Sequence, residues 1–173
     1  SGNDSFNITS ATDVSAPVGA TVSNIDTSTV TTTGTVTLNT TEWSGLTSLT
    51  STGAGSAALT AAATTDVTST ATLLTAAAGT ELSITGGKDI TSTSTDTQVL
   101  GTASASQIVV GGASTAAPAG AVTVTHTETG TDAAGDTTAT GASLTVTGGT
   151  SITTTYNLVE VGTSDDAGDD LTA

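Results

Sequence analysis

The densest group of side chains able to do chemistry is acidic and lies near the C-terminus. Four carboxylates fall within six residues, around a glycine: Asp165, Asp166, Asp169 and Asp170. Carboxylate oxygens of this kind are the ligands that Ca²⁺ prefers in proteins. The spacing differs from that of the EF-hand loop and of the glycine-rich nonapeptide of calcium-binding β-rolls. The segment therefore predicts either a calcium site or a solvated acidic terminus, and the pair Asp132 and Asp136 forms a sparser loop of the same kind.

A second candidate is a histidine followed two residues later by a carboxylate. His126 and Glu128 share the parity of Val124, so a strand would place all three on one face. A histidine–carboxylate pair can exchange protons in acid–base catalysis. No nucleophile elbow or phosphate-binding loop accompanies it. We therefore expect these two residues to be ordinary strand residues and the chain not to be an enzyme.

Asparagine and hydroxyl side chains offer sites of modification. Three Asn-X-Ser/Thr sequons are candidate N-glycosylation sites, and they begin at Asn3, Asn7 and Asn39. The chain also holds 46 Thr and 20 Ser, which are natural acceptors of O-glycans. Glycans are accordingly among the expected partners.

The charge and composition exclude several classes of function. Sixteen carboxylates stand against a single base, Lys88, for a formal net charge of −15. Nucleic acids and anionic membrane surfaces are bound by clustered Lys and Arg, so neither is an expected partner. The absence of Cys and the single His exclude thiol chemistry and paired-histidine zinc sites. No apolar run is long enough to predict membrane insertion, and since the chain does not begin with Met, we expect a processed or cut polypeptide.

The elements that would carry these residues are strands. Apolar residues alternate with Thr or Ser in short runs, which begin at Val30, Leu82, Val122 and Leu144. Period-two alternation places the aliphatic side chains on one face and the hydroxyls on the other. Thr and Ser are weak helix formers, and no apolar stripe of helical period appears. The fold class is therefore predicted to be all-β.

Recurrence of these runs indicates how the strands are arranged. Val36, Leu59 and Leu82 follow one another at a constant interval, and the interval from Val122 to Leu144 is shorter by a single position. A recurrence of about 22 residues fits one coil of a parallel β-solenoid. The alternative is an immunoglobulin-like β-sandwich, in which the two strands on either side of Gly148–Gly149 would form a hairpin.

Paired glycines mark the ends of several runs. They are Gly86–Gly87, Gly111–Gly112 and Gly148–Gly149. Glycine adopts positive φ without a steric cost, so these pairs are predicted to be bends. In the solenoid each would be a corner of a coil.

The same patterns divide the chain into three segments. Residues 1–29 lie outside the recurrence and are expected to form a cap or an extended inter-subunit strand. Residues 30–161 are the predicted β-strand repeat domain, and residues 162–173 are the acidic tail. Exposed strand edges at the ends of such a stack would be free to pair with another copy.

The runs from Val122 and Leu144, with their Thr and Gly-Gly elements, resemble the Thr/Gly-rich β-strand repeats of bacterial surface-layer and adhesin-type proteins. The resemblance implies a secreted, extracellular structural protein that assembles with copies of itself into a surface layer or filament, often with Ca²⁺. An alternative function is a passive stalk or spacer of a large adhesin. A carbohydrate-active β-helix enzyme is disfavoured because the chain has only three aromatic residues.

Overall fold

The chain folds into short strands joined by turns and bends. The computed structural model describes residues 2–73, 78–99, 105–112, 116–131, 138–140, 142–161 and 170–172, and these contain no helix. The strands are β1 (Ser5–Ser10), β2 (Val14–Ala16), β3 (Thr27–Thr32), β4 (Val36–Asn39), β5 (Ser48–Gly53), β6 (Ala57–Ala61), β7 (Asp66–Thr72), β8 (Ala78–Gly86), β9 (Ile90–Val99), β10 (Ala105–Gly111), β11 (Ala121–Thr131), β12 (Thr138–Thr140), β13 (Ser143–Thr147), β14 (Ser151–Val161) and β15 (Asp170–Thr172).

Two parallel sheets face each other across the interior. Sheet A has the order β1-β3-β5-β7-β9-β11-β14, and sheet B has the order β13-β10-β8-β6-β4-β2. The chain visits the two sheets in turn, and a short third pair, β12 with β15, joins the last coils. The fold is therefore the predicted all-β, parallel solenoid-like stack. An immunoglobulin-like sandwich is excluded, because its sheets are antiparallel.

Strands make their extensive contacts only with the strands directly before and after them in the same sheet. Strands β1 and β2, which lie within residues 1–29, form the first coil and pair in register with β3 and β4. Each coil therefore depends mainly on its two neighbours, as in other repeat architectures.

Coil length is less uniform than the sequence recurrence indicates. Along sheet A the coil from Ser48 to its partner Asp66 is the shortest, and the coil from Ile90 to its partner Val122 is the longest. The interval from Val122 to Leu144 does not mark a coil, because the two residues belong to different sheets.

Both alignments in the recurrence of Val36, Leu59 and Leu82 are also shifted by two positions. Val36 pairs with Ala57, and Leu38 pairs with Leu59. Leu59 pairs with Ile84, and Ala57 pairs with Leu82, two positions from the pairing expected between Leu59 and Leu82. A shift of two positions leaves each side chain on the same face of its strand, so all six side chains still face the interior.

The interior is narrow and is filled unequally by the two sheets. Sheet B contributes two ladders of buried side chains, Val36-Ala57-Leu82-Ile108 and Leu38-Leu59-Ile84-Val110. Sheet A contributes smaller residues at its middle position, including Ser51, Ser69 and Ser92. Burying each large aliphatic side chain stabilises the fold by about 1.5–3 kcal/mol. Small residues on one sheet leave room for the larger ones on the other.

The connections between the sheets depend on glycine. Gly86 and Gly87 link sheet B to sheet A with φ values of +74° and +89°, and Gly148 and Gly149 do so at +90° and +81°. The predicted positive φ is confirmed at these two pairs and, in the third pair, at Gly111, which ends β10. The first two pairs carry the chain from one sheet to the other, so the segment from Leu144 to Ile152 is a corner and not a hairpin.

Acidic side chains in the turns between strands also hydrogen-bond to the next coil. Asp13 Oδ1 accepts a hydrogen bond from the Thr35 amide at 2.8 Å, and Asp89 Oδ1 accepts one from the Ala121 amide at 2.7 Å. These amide donors hold the pKa of both carboxyl groups below the usual range. The Lys88 ammonium lies 3.2 Å from an Asp66 carboxylate oxygen and 3.4 Å from one of Asp89. These two carboxylates stabilise the charged ammonium and raise the pKa of Lys88.

The corner carboxylates make stability depend on acid pH. Because folding lowers the pKa of Asp13 and Asp89, their contribution is present above the unfolded value of about 3.9. It is lost as the pH falls through the folded values. We expect the thermal unfolding midpoint, followed by circular dichroism, to fall between about pH 5 and pH 2. The double variant Asp13→Asn/Asp89→Asn should show a smaller fall, since an amide oxygen accepts the same bonds without titrating.

Glu42→Gln is the matched control, because its side chain is exposed. An acid-induced fall in the double variant as large as that of the wild type would contradict the role assigned to these corners.

Candidate functional site

The one buried cluster of ionisable side chains in the described ranges lies inside sheet A, where its last three strands meet. His126 and Glu128 point inward from β11, and neither has any exposed surface. The register places His126 between Ser94 of β9 and Tyr156 of β14. His126 and Glu128 therefore share one face, as their spacing predicts.

Hydrogen bonds connect the cluster across three coils. His126 Nδ1 lies 2.9 Å from the Ser94 hydroxyl, and its ring packs edge-on against Tyr156 with centroids 5.0 Å apart. The Tyr156 hydroxyl donates to Glu128 Oε2 and lies 3.1 Å from the Ala142 carbonyl oxygen. Glu128 Oε2 also accepts the Ala142 amide at 2.9 Å. The cluster thus joins β9, β11 and β14 to the segment that enters β13.

These contacts set the protonation of the carboxyl and phenol groups. Burial opposes ionisation of Glu128, but the His126 imidazole, the Tyr156 hydroxyl and the Ala142 amide outweigh it, so the pKa of Glu128 is lowered. Burial and the neighbouring Glu128 carboxylate raise the pKa of Tyr156. Glu128 is accordingly an anion held by fixed donors, with His126 Nε2 at 3.8 Å from its oxygen.

The cluster is enclosed by the coils that it connects. His126 and Glu128 are closed off from solvent, so a substrate in solution has no route to them in this structure. Two of their atoms, His126 Nε2 and Glu128 Oε1, have no hydrogen-bond partner. Among the described residues no group of three His, Asp or Glu side chains is arranged to hold a metal ion.

The other candidate residues are distributed as follows. Asp165, Asp166 and Asp169, like Asp132 and Asp136, lie outside the described residues, and Asp170 begins β15. Asn3 and Asn7 are exposed at the N-terminal edge of sheet A. The half-buried Asn39 accepts hydrogen bonds from the amide and hydroxyl of Thr41. In the described ranges no helix is long and apolar enough to cross a membrane.

The two ends of the stack expose apolar side chains that should face the interior. Sheet A ends on β1 and β14, whereas sheet B ends on β2 and β13. Ile152 and Leu158 of β14 are 49% and 41% exposed, although their partners in β11 are buried. At the other end Phe6 is 38% exposed and packs edge-on against Trp43, with centroids 5.6 Å apart.

No family model, curated protein or solved structure matches the chain. Function is therefore inferred from the geometry of the sheets and their ends.

Sequence reasoning missed Ser94 and Tyr156 as partners of His126. A signal for them was present, because the segments that begin at Ile90 and Ile152 align without gaps. Ser94 and Tyr156 occupy the same place in these two segments, each four positions after the isoleucine. His126 lies in the coil between the two segments. The longer connections of that coil hide its alignment with them in the sequence.

Tyr156→Phe tests whether the cluster stabilises the last coils. Removing the hydroxyl takes a donor from a buried carboxylate, and hydrogen bonds to charged groups contribute about 1.5–3 kcal/mol. We expect the free energy of unfolding, measured by urea denaturation at neutral pH, to fall by about that amount. Thr155→Ser, next to it on the exposed face of β14, is the control. Equal stability of the two variants would show that the Tyr156–Glu128 bond contributes nothing net.

Proposed function

We propose that the protein is a secreted structural protein that assembles end to end with copies of itself, into an extracellular filament or surface layer. The observation that carries the proposal is the pair of open sheet ends. In the described part of the chain, β14 and β1 each have one edge that pairs with no other strand. Unpaired edges of this kind are templates for another strand.

A second copy of the same chain fits these ends in orientation. All strand pairs of sheet A are parallel, so a copy translated along the stacking direction brings the free edge of its β1 beside β14 in the same sense. Phe6 then joins the inward side on which Ile152 and Leu158 are exposed. A contact between two different surfaces, repeated by translation, does not close and so produces filaments.

The charge of the chain controls when such contacts form. A net charge of −15 on each copy opposes their approach at low ionic strength. Salt shortens the range of that repulsion, to about 10 Å at 0.1 M and about 3 Å at 1 M. Assembly is therefore favoured by salt.

Substitutions at the C-terminal end test the assembly contact. Leu158→Lys places a charge on the inward side of β14, whereas Val159→Lys places the same charge one position away on the outward side. We expect the wild type and Val159→Lys to form large species at high salt, measured by sedimentation velocity and negative-stain microscopy. Leu158→Lys should remain monomeric, with circular dichroism confirming that each variant is folded.

Two results would contradict this contact. Equal assembly of Leu158→Lys and Val159→Lys would show that the inward side of β14 is not involved. A wild type that stays monomeric at every salt concentration would favour the alternative function, a passive stalk or spacer. That alternative is supported by the continuous stack of seven strands in sheet A, which spans roughly 30 Å at the usual strand spacing.

Calcium is the proposed cofactor of assembly, through Asp165, Asp166, Asp169 and Asp170. Carboxylates bind Ca²⁺ with several oxygens, and neutralising them would weaken the repulsion between copies. We expect dialysis against a calcium chelator to loosen the assemblies, and added Ca²⁺ but not Mg²⁺ to restore them, as seen by light scattering. Assemblies unchanged by the chelator would remove calcium from the proposal while leaving the strand contact in place.

A further inference from the structure

The outward face of sheet A carries a two-dimensional array of threonines, which we name the threonine face. Six adjacent strands each present a Thr-X-Thr unit at the same place in the register, with X facing inward. The units are Thr29/Thr31, Thr50/Thr52, Thr68/Thr70, Thr91/Thr93, Thr123/Thr125 and Thr153/Thr155. The strand registers align all six units into two unbroken columns. On β1, Asn7 and Thr9 continue the columns by one more strand.

The array is more regular than the composition of the chain explains. Thr occupies 46 of 173 positions, so a random draw would place about three threonines in these twelve sites. Coil length along sheet A is uneven, yet the two columns stay in register. The corresponding outward column of sheet B is mixed and reads Ser15-Thr37-Ala58-Ser83-Val109-Thr145. The regular array is therefore a property of one face.

The side chains of the threonine face are available to an external ligand. Ten of the twelve are exposed, and Thr50 and Thr125 are half-buried. Within the described ranges none of the twelve hydroxyls hydrogen-bonds another protein group. Threonine is stiff at χ1, so the hydroxyls and methyl groups are held in place before any ligand arrives. Such preorganisation reduces the entropy lost on binding.

The spacing of the array indicates a ligand that repeats in two dimensions. Threonines recur about 4.8 Å apart across the strands and about 6.8 Å apart along them. A crystalline surface has repeats of this order in two directions. A mineral surface would be met by rows of charged groups, and crystalline polysaccharides are met by aromatic rings, but the twelve side chains are neither charged nor aromatic. Ice presents uncharged oxygens that both donate and accept hydrogen bonds, which matches a lattice of hydroxyl and methyl groups.

We propose that the threonine face binds ice. The hydroxyls hydrogen-bond to the outermost water layer, and the methyl groups fit between its oxygens and order that layer. Each contact is weak, but twelve fixed contacts engage together, so the effect on adsorption is collective. The face lies across the sheet and not at its ends, so this proposal goes beyond end-to-end assembly and does not require it.

Ice crystals grown in solutions of the purified chain provide the test. We expect the wild type to separate the freezing point from the melting point, to shape the growing crystals, and to adsorb to a single ice crystal when fluorescently labelled. Thr93→Tyr places a ring in the centre of the array and lifts the neighbouring threonines from the surface. Its thermal hysteresis should fall roughly tenfold or more, because simultaneous engagement is lost.

Thr37→Tyr is the matched control, since it makes the same substitution at an exposed strand position on sheet B. It should keep the wild-type hysteresis, and circular dichroism establishes that both variants are folded. Thr93→Ser, which keeps the hydroxyl and removes the methyl group, should lie between Thr93→Tyr and the wild type. Leu158→Lys leaves the array intact, so loss of assembly and loss of ice binding are separate results.

Three outcomes would overturn the proposal. The first is a wild type with neither hysteresis nor adsorption to ice. The second is an equal loss of hysteresis in Thr37→Tyr and Thr93→Tyr. The third is adsorption to crystalline cellulose or to hydroxyapatite without adsorption to ice, which would assign the face to a polysaccharide or a mineral.

Discussion

Parallel register between successive coils is the constraint on which the rest of this structure depends. A chain with so few large apolar residues cannot enclose a thick core, so each coil must satisfy its backbone by pairing with the coils on either side. Parallel pairing without reversal places equivalent positions directly above one another. Aliphatic residues then form continuous ladders on the inside, and threonines form continuous columns on the outside. The buried and exposed faces of the protein are both consequences of this stacking.

The polar cluster around His126 departs from that pattern, because ionisable side chains occupy inward positions there. In the middle coils the inward positions of sheet A hold aliphatic residues, serine, glycine or alanine, whereas the last coils also hold a histidine, a tyrosine and two carboxylates, Asp96 and Glu128. An ionised carboxylate inside a protein is stable only with fixed donors. Glu128 has them from Tyr156 and from the Ala142 amide. The coils that have the longest connections are therefore those held together by directional bonds as well as by apolar contact.

Much of the fold follows from period-two alternation, but the register does not. Alternation placed Val30, Leu82, Val122 and Leu144 on strands, and it placed His126 and Glu128 on one face. The structure shows that this face is buried. The segments at Ile90 and Ile152 match without gaps in the sequence, and in the structure these residues occupy the same position two coils apart. The pairing of Leu59 with Ile84 could not be read from the sequence, since it depends on the length of the connection between β6 and β8. The threonine columns were missed for the same reason: each unit is visible in the sequence, but only the register aligns them.

Each coil makes extensive contacts only with its two neighbours. This arrangement also determines how the protein responds to a pulling force. The chain has no cysteine, so no disulfide cross-links one coil to another. Tension applied to the two ends acts first on β1 at one end, and at the other end on β15, which pairs with β12, and then on β14. These strands are peeled before any inner strand is strained. Coils then detach in sequence from both ends, and each releases the length of chain that it had stored between neighbouring strands of sheet A. A rod built in this way extends under load in small steps and dissipates energy, where a domain with a single cooperative core would rupture at once.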